Sequence, residues 1–279
     1  MIGPRTVFAV IPAAAGVGAA IDGFRALPLA ENAKLIGVHV APMAVKYGLI
    51  ADIALASFIE AQIEAAKQER EAAQAAFLTA CEQAGIPFEW RASQSIDTLV
   101  SPQAGSMARA ADIILCPTLP EKASLGRHRV EEVVFASGRP VIALPEVSTG
   151  ARLGKRVLIA WDGGREAARA TFDAMPLLRQ ADDVRLVSVN GFQQEPVRQF
   201  TPADEIAATL SRHGIPIEAH GFESTRRSVA DELHTQALEF GADILVMGSY
   251  GHTRFRERIL GGVSREMLNE PRLPLFLAH

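Results

Sequence analysis

Residues 242–247 read Ala242-Asp243-Ile244-Leu245-Val246-Met247, and residues 111–116 read Ala111-Asp112-Ile113-Ile114-Leu115-Cys116. Each is a short, continuous apolar run opened by Ala-Asp, which is the pattern of a strand buried on both faces. Upstream of each lies another shared segment, Ala84-Gly85-Ile86-Pro87-Phe88-Glu89 in one half and His213-Gly214-Ile215-Pro216-Ile217-Glu218 in the other. The halves open with apolar runs at 6–11 and 156–161 and close with proline-led runs at 140–144 and 274–278. The offset between copies is 150 at the first run, 129 at Gly-Ile-Pro and 134 at the last. Insertions therefore fall in the connections, where added length costs least. The chain reads as one plan used twice, residues 1–146 and 154–279, with a turn-rich linker around 146–154.

Between the apolar runs the pattern turns helical. Ser228-Val229-Ala230-Asp231 has the spacing of a capping box. Val229, Leu233, Ala237 and Phe240 then share one face, and Gly241 stops the helix. Thr201-Pro202 reads as an N-cap and first-position pair for another helix. In the first half a much longer helix is expected over 52–84, with Ile59, Ile63, Ala66, Ala73, Phe77 and Cys81 along one stripe. It is long enough to pack on the other half or simply to thicken its own layer. Strands are expected near 156–161, 184–189, 216–220, 243–247 and 274–278. Strands alternating with helices imply βαβ units and a parallel sheet, an α/β protein with helices on both faces.

Composition narrows the function. Of 279 residues, 48% are hydrophobic and 22% charged, the profile of a globular protein rather than a disordered one. The formal charge is −4, so no bulk positive field exists to hold nucleic acid. Two separated cysteines, Cys81 and Cys116, form no disulfide framework and no cysteine-rich zinc site. The seven histidines show no paired ligand spacing, so no metal site is expected. No signal peptide or membrane span is legible, and the expected location is the cytoplasm. Neither a GxSxG elbow nor a GxxxxGK[ST] loop occurs, and no catalytic base or nucleophile stands out.

The strongest chemical signal follows the run at 243–247. Gly248-Ser249-Tyr250-Gly251 is followed, nine residues on, by Gly261-Gly262-Val263-Ser264. Glycines between a parallel strand and a helix let backbone N–H groups approach an anion, to which the helix presents its positive end. Arg254, Arg256, Arg258 and Arg265 accompany them. The same residues also read as a tight loop with a solvated basic face, partly neutralised by Glu257 and Glu266.

This segment resembles the universal stress protein family, whose nucleotide-binding members carry Gly-x2-Gly-x9-Gly-Ser/Thr after the fourth strand. Gly248, Gly251 and Gly261 match that spacing, and the two repeated segments extend the likeness over both halves. The resemblance implies two tandem flavodoxin-like domains of the adenine-nucleotide α-hydrolase-like kind. Each would hold a five-stranded parallel sheet with helices on both faces, and the two would pair by their last strands, as an intramolecular pseudo-dimer. It further implies an adenine nucleotide, ATP or AMP, with Mg²⁺ accompanying ATP. Asp162 would lie near adenine and ribose, Val189 would meet adenine through its backbone, Met247, Gly248 and Gly251 would form the lip, and Gly261, Gly262, Val263 and Ser264 the phosphate end. The family's Ser/Thr is Gly262 here, so that hydroxyl is missing, although Ser264 stands two residues further on.

The first half departs further. Its counterpart of Asp162 is Pro12, its counterparts of Gly248-Ser249 are Cys116-Pro117 or Pro117-Thr118, and those of Gly261-Gly262 fall around Arg127-His128. Proline has no N–H to give a phosphate, so nucleotide is expected in the second half alone. Gly16-Val17-Gly18 imitates a dinucleotide fingerprint, but Ile21 occupies the third glycine position and no acid ends the following strand. The resulting expectation is a stress-response or signalling protein that binds nucleotide and acts through a protein partner. The alternatives are an adaptor whose sites have decayed and a slow ATPase.

Overall fold

The computed structural model describes residues 3–28, 32–42, 53–95, 99–120, 123–125, 128–146, 152–189, 202–222, 228–249 and 262–279. In the first half they form β1 (Thr6–Val10), α1 (Val17–Ala26), β2 (Lys34–Pro42), α2 (Ile53–Ala84), β3 (Phe88–Ser95), α3 (Ser101–Met107), β4 (Ile113–Pro117), α4 (Val130–Ser137) and β5 (Val141–Leu144). The second half supplies β6 (Arg156–Ala160), α5 (Arg165–Asp173), α6 (Met175–Leu178), β7 (Asp183–Val189), α7 (Ala203–Arg212), β8 (Ile217–Phe222), α8 (Val229–Phe240), β9 (Ile244–Gly248), α9 (Gly262–Asn269) and β10 (Leu275–Ala278).

The strand order is β3-β2-β1-β4-β5-β10-β9-β6-β7-β8. Within each half all pairs are parallel and follow the same order, so the duplication is real at the level of topology. The five-stranded sheets are not separate bodies, however. β5 and β10 pair antiparallel, Ile142 opposite Phe276, and fuse them into one ten-stranded sheet. This is the pairing by last strands that the family resemblance implies, and it corrects any picture of two independent sheets. Two edge strands made wholly of buried apolar residues would otherwise expose both side chains and ladder groups. Here all eight residues of β5 and β10 are at most 2% exposed. The apolar core on either side of the sheet draws on both halves.

The repeated motifs turn out to be joints. Gly85 and Gly214 adopt φ of +64° and +77° after α2 and α7, a region glycine enters without strain. The next residue then folds back: Ile86 N–H donates to Cys81 O at 3.0 Å, and Ile215 N–H to Leu210 O at 3.3 Å, the long bond of a Schellman cap with its buried apolar residue. Pro87 O and Pro216 O then accept the N–H groups of Leu35 and Val184, which starts the next strand pair in register. Asp112 Oδ2 accepts the N–H groups of Arg5 and Thr6, and the Asp243 carboxylate those of Gly154, Lys155 and Arg156. The Ala-Asp dipeptide thus clamps the entry to the first strand of its own half.

Two details differ from the sequence reading. Pro202, not Thr201, occupies the N-cap of α7, and helix geometry starts at Ala203; Thr201 lies outside the described residues. Along α2, Ala66, Ala73, Phe77 and Cys81 are buried but Ile63 is 42% exposed, because the helix runs on past the sheet. It packs on β2, β3 and α1 of its own half. Among the described residues no helix is long and apolar enough to cross a membrane.

Candidate functional site

In the second half the chain runs β6 to β7 to β8 on one side and β9 to β10 on the other. The carboxyl ends of β6 and β9 therefore flank the point where the winding direction reverses. Connections leaving adjacent strands toward opposite faces open a crevice there, the general ligand position of open α/β sheets. Ala160 of β6 stands opposite Met247 of β9, so the segments that follow these two residues form the crevice walls.

On the β6 side, Trp161 N–H extends the pairing by donating to Val187 O at 2.8 Å. The chain then turns through Asp162-Gly163-Gly164 into α5, with Gly163 at φ +75°. Asp162 is exposed, and its Oδ1 accepts Gly164 N–H at 2.8 Å. The side chain is therefore oriented by its own turn, with Oδ2 left to face solvent or a ligand. Glu166, in the first turn of α5, is buried and paired with Arg165.

On the β9 side Met247 is buried, and Gly248 meets the start of α5 at very short range. A Cβ on Gly248 would lie 2.5 Å from both Ala167 N and the Glu166 carbonyl carbon. Ser249 is wholly buried, and its N–H and Oγ–H both donate to Ala278 O, at 2.9 and 3.0 Å. Its hydroxyl therefore ties β9 to the chain end and is not offered to a ligand. Val189 ends β7, half-buried, one strand beyond β6. Gly262 opens α9, exposed, and among the described residues no other segment comes within 4 Å of an added Cβ. Val263 is half-buried, and Ser264 lies on the buried side of α9. Gly251 and Gly261, with Tyr250, His252, Arg254, Arg256 and Arg258, lie outside the described residues.

The equivalent crevice of the first half is built on the same joints. Ile11 N–H donates to Val38 O as Trp161 does to Val187, which makes Pro12 the counterpart of Asp162. Thr118 N–H and Oγ–H both donate to Leu144 O, at 2.8 and 2.9 Å, so Pro117-Thr118 corresponds to Gly248-Ser249. The interior differs. His39, fully buried, donates from Nδ1 to Ile11 O at 2.9 Å, and its Nε2 has no partner among the described residues. The Glu69 carboxylate on α2 accepts Leu125 N–H at 2.9 Å and stands 3.2 Å from Ser124 Oγ, itself 3.0 Å from Pro12 O. α2 thereby holds the segment after β4 against the end of β1. Both ring nitrogens of His128 are buried without a partner among the described residues. No sequence pattern links His39, Glu69 and His128, because three elements far apart in the chain supply them.

Burial pushes the His128 imidazole down to about 4, helped by the nearby His39, whose own value burial also lowers. In the unfolded chain these rings take up protons near 6.5, so between about 6.5 and 4 the unfolded state binds more protons than the folded one. Stability is therefore expected to fall as pH is lowered through that window. Urea midpoints measured from pH 7 to pH 4 check this: the His128→Gln variant is expected to show a shallower decline than the native chain.

The crevice lies at the switch point of a duplicated α/β sheet, between a glycine-ended strand and helix N-termini, in a tandem protein of the flavodoxin-like α/β type. The universal stress protein family model matches residues 154–279. The second half therefore carries a universal stress protein domain. Its whole length is similar to a universal stress protein from Archaeoglobus fulgidus DSM 4304, with a TM-score of 0.66, 17% identity and 97% of each chain covered. It is also similar to a functionally unknown protein from Pseudomonas aeruginosa PAO1, with a TM-score of 0.56, 13% identity, and coverage of 99% of this chain and 92% of that one. At these identities the likeness establishes the fold alone. No curated protein matches the chain.

Proposed function

We propose that the chain is a stress-response or signalling protein that binds an adenine nucleotide, ATP or AMP, in the crevice between β6 and β9, and acts through a protein partner in the cytoplasm. We take residues 1–146 and 154–279 as its two domains. The observation that carries the reading is the coincidence of the switch-point crevice with the Gly248-x2-Gly251-x9-Gly261 spacing, within a half that matches the family. Asp162 would accept a ribose hydroxyl through Oδ2, and the Val189 backbone would meet the adenine edge. Met247, Gly248 and Gly251 would form the lip, and Gly261, Gly262, Val263 and Ser264 the phosphate end at the start of α9. Mg²⁺ would travel with ATP on its phosphate oxygens; among the described residues no cluster of three His, Cys, Asp or Glu side chains is placed to hold a metal by itself.

A second reading, an adaptor without ligand, draws support from two observations. Gly248 is required by the packing of α5, and the Ser249 hydroxyl is spent on Ala278 O, so both residues have structural reasons to be what they are. Gly262 separates the two readings. A hydroxyl bonded to a charged phosphate contributes about 1.5–3 kcal/mol, about ten- to a hundredfold in affinity. Among the described residues the space around Gly262 is open, so serine displaces none of them. Gly262→Ser is expected to tighten ATP at least several-fold in titration calorimetry and to change AMP little. Absence of measurable heat with either nucleotide, in both proteins, supports the adaptor instead.

A further inference from the structure

The described residues enclose a cavity of about 550 Å³ at the carboxyl ends of β1 and β4, where the first half's crevice meets the second half. That volume lies within the ordinary range of small-molecule sites. Its apolar wall includes Pro12, Pro117 and Leu119 of the first half and Leu268 of α9, and Arg129 and Arg265 contribute cationic groups from either half. Neither guanidinium forms an ion pair with a described residue, and the only carboxylate in the lining is Glu131, also unpaired among them. A nucleotide phosphate does not suit this wall, because both strand-end positions are prolines without an N–H to offer. Proline and leucine side chains beside two cations, in a lining that also holds Thr118, Ser124 and Asn269, suit a different chemistry.

We propose that this cavity is a second ligand site, built by both halves, that takes a small organic acid: an apolar ring or chain on the proline and leucine wall, and a carboxylate facing Arg129 and Arg265. This site stands independently of the nucleotide reading. His128 also lines the cavity, with both ring nitrogens unpartnered among the described residues. A carboxylate bound nearby favours its protonated form, so the ligand reports itself on that imidazole.

The probe is 2-naphthoate, titrated calorimetrically into the intact chain, with circular dichroism confirming that each variant folds. One saturable site per chain is expected, weakened about five- to tenfold by Arg129→Glu or Arg265→Glu, as reversal of a solvent-screened charge implies. Glu131→Gln is expected to tighten it by removing a like charge. The His128 ring signal in proton NMR is expected to titrate at higher pH when naphthoate is present. Excess AMP is expected to leave the binding unchanged, and inorganic phosphate, which lacks the apolar body, to compete weakly. The proposal is overturned if the native chain shows no saturable binding, if Arg129→Glu and Glu131→Gln bind as the native does, or if AMP displaces the probe.

Discussion

Phe276→Ala is expected to lower the free energy of unfolding by about 3–5 kcal/mol, the cost of emptying an aromatic site in a packed core. Phe276 is 1% exposed and lies opposite Ile142 across the antiparallel seam of the sheet. The void would open where the two halves meet, in a core drawn from both, with little room for either to collapse into it. A single urea transition is expected, shifted to lower denaturant with its slope unchanged. Phe172→Ala serves as the control, since that ring is 45% exposed and its loss is expected to move the midpoint little. If Phe276→Ala instead split unfolding into two transitions, the seam would be a contact between separately stable halves.

Gly248→Val is expected to be the next largest, about 3 kcal/mol, at the upper end of overpacking costs. The Cβ alone would sit 2.5 Å from two backbone atoms of α5. Backbone cannot rotate away as a side chain can, so the helix start must shift off the strand end. Gly248→Ala already carries that Cβ and is therefore expected to show most of the loss. At Gly262, where an added Cβ meets no other described segment, the same glycine-to-alanine change is expected to be near neutral. Paired melting curves of the two alanine variants make the comparison. Equal effects would mean that the α5 contact does not set the demand for glycine at 248.

The sequence reading and the structure meet most closely at the joints. Gly-Ile-Pro and Ala-Asp-Ile were visible because each recurs in both halves, and the first is also a local rule, a left-handed cap followed by a proline at the entry to a strand. That the Asp112 and Asp243 carboxylates reach N–H groups 87 to 107 residues away was not visible. The alternation of strands and helices followed from periodicity, whereas the switch-point crevice needed the strand order of the structure. What stayed hidden depends on contacts between distant segments. Ser249 looked like part of a phosphate loop, yet its hydroxyl is taken by Ala278 O, a partner 29 residues away. Gly248 looked like room for an anion, and its nearest neighbour is the first turn of α5. The unpartnered His39 and His128, and the Glu69 that fastens the segment after β4, come from separate elements and left no spacing to notice. The cavity shared by the halves needs Arg265 and Leu268 of α9 brought to Pro12 and Pro117, which only the antiparallel seam accomplishes.

The central claim is that one adenine nucleotide binds per chain, in the second half. Calorimetric titration of AMP and ATP into the native chain and into Gly261→Val tests it most directly. In the proposed site Gly261 is where phosphate would come closest, so a valine there would remove the space for it. The account predicts one site per chain in the native protein, with ATP binding lost in Gly261→Val. Two sites per chain, or ATP binding that survives Gly261→Val unchanged, would contradict it.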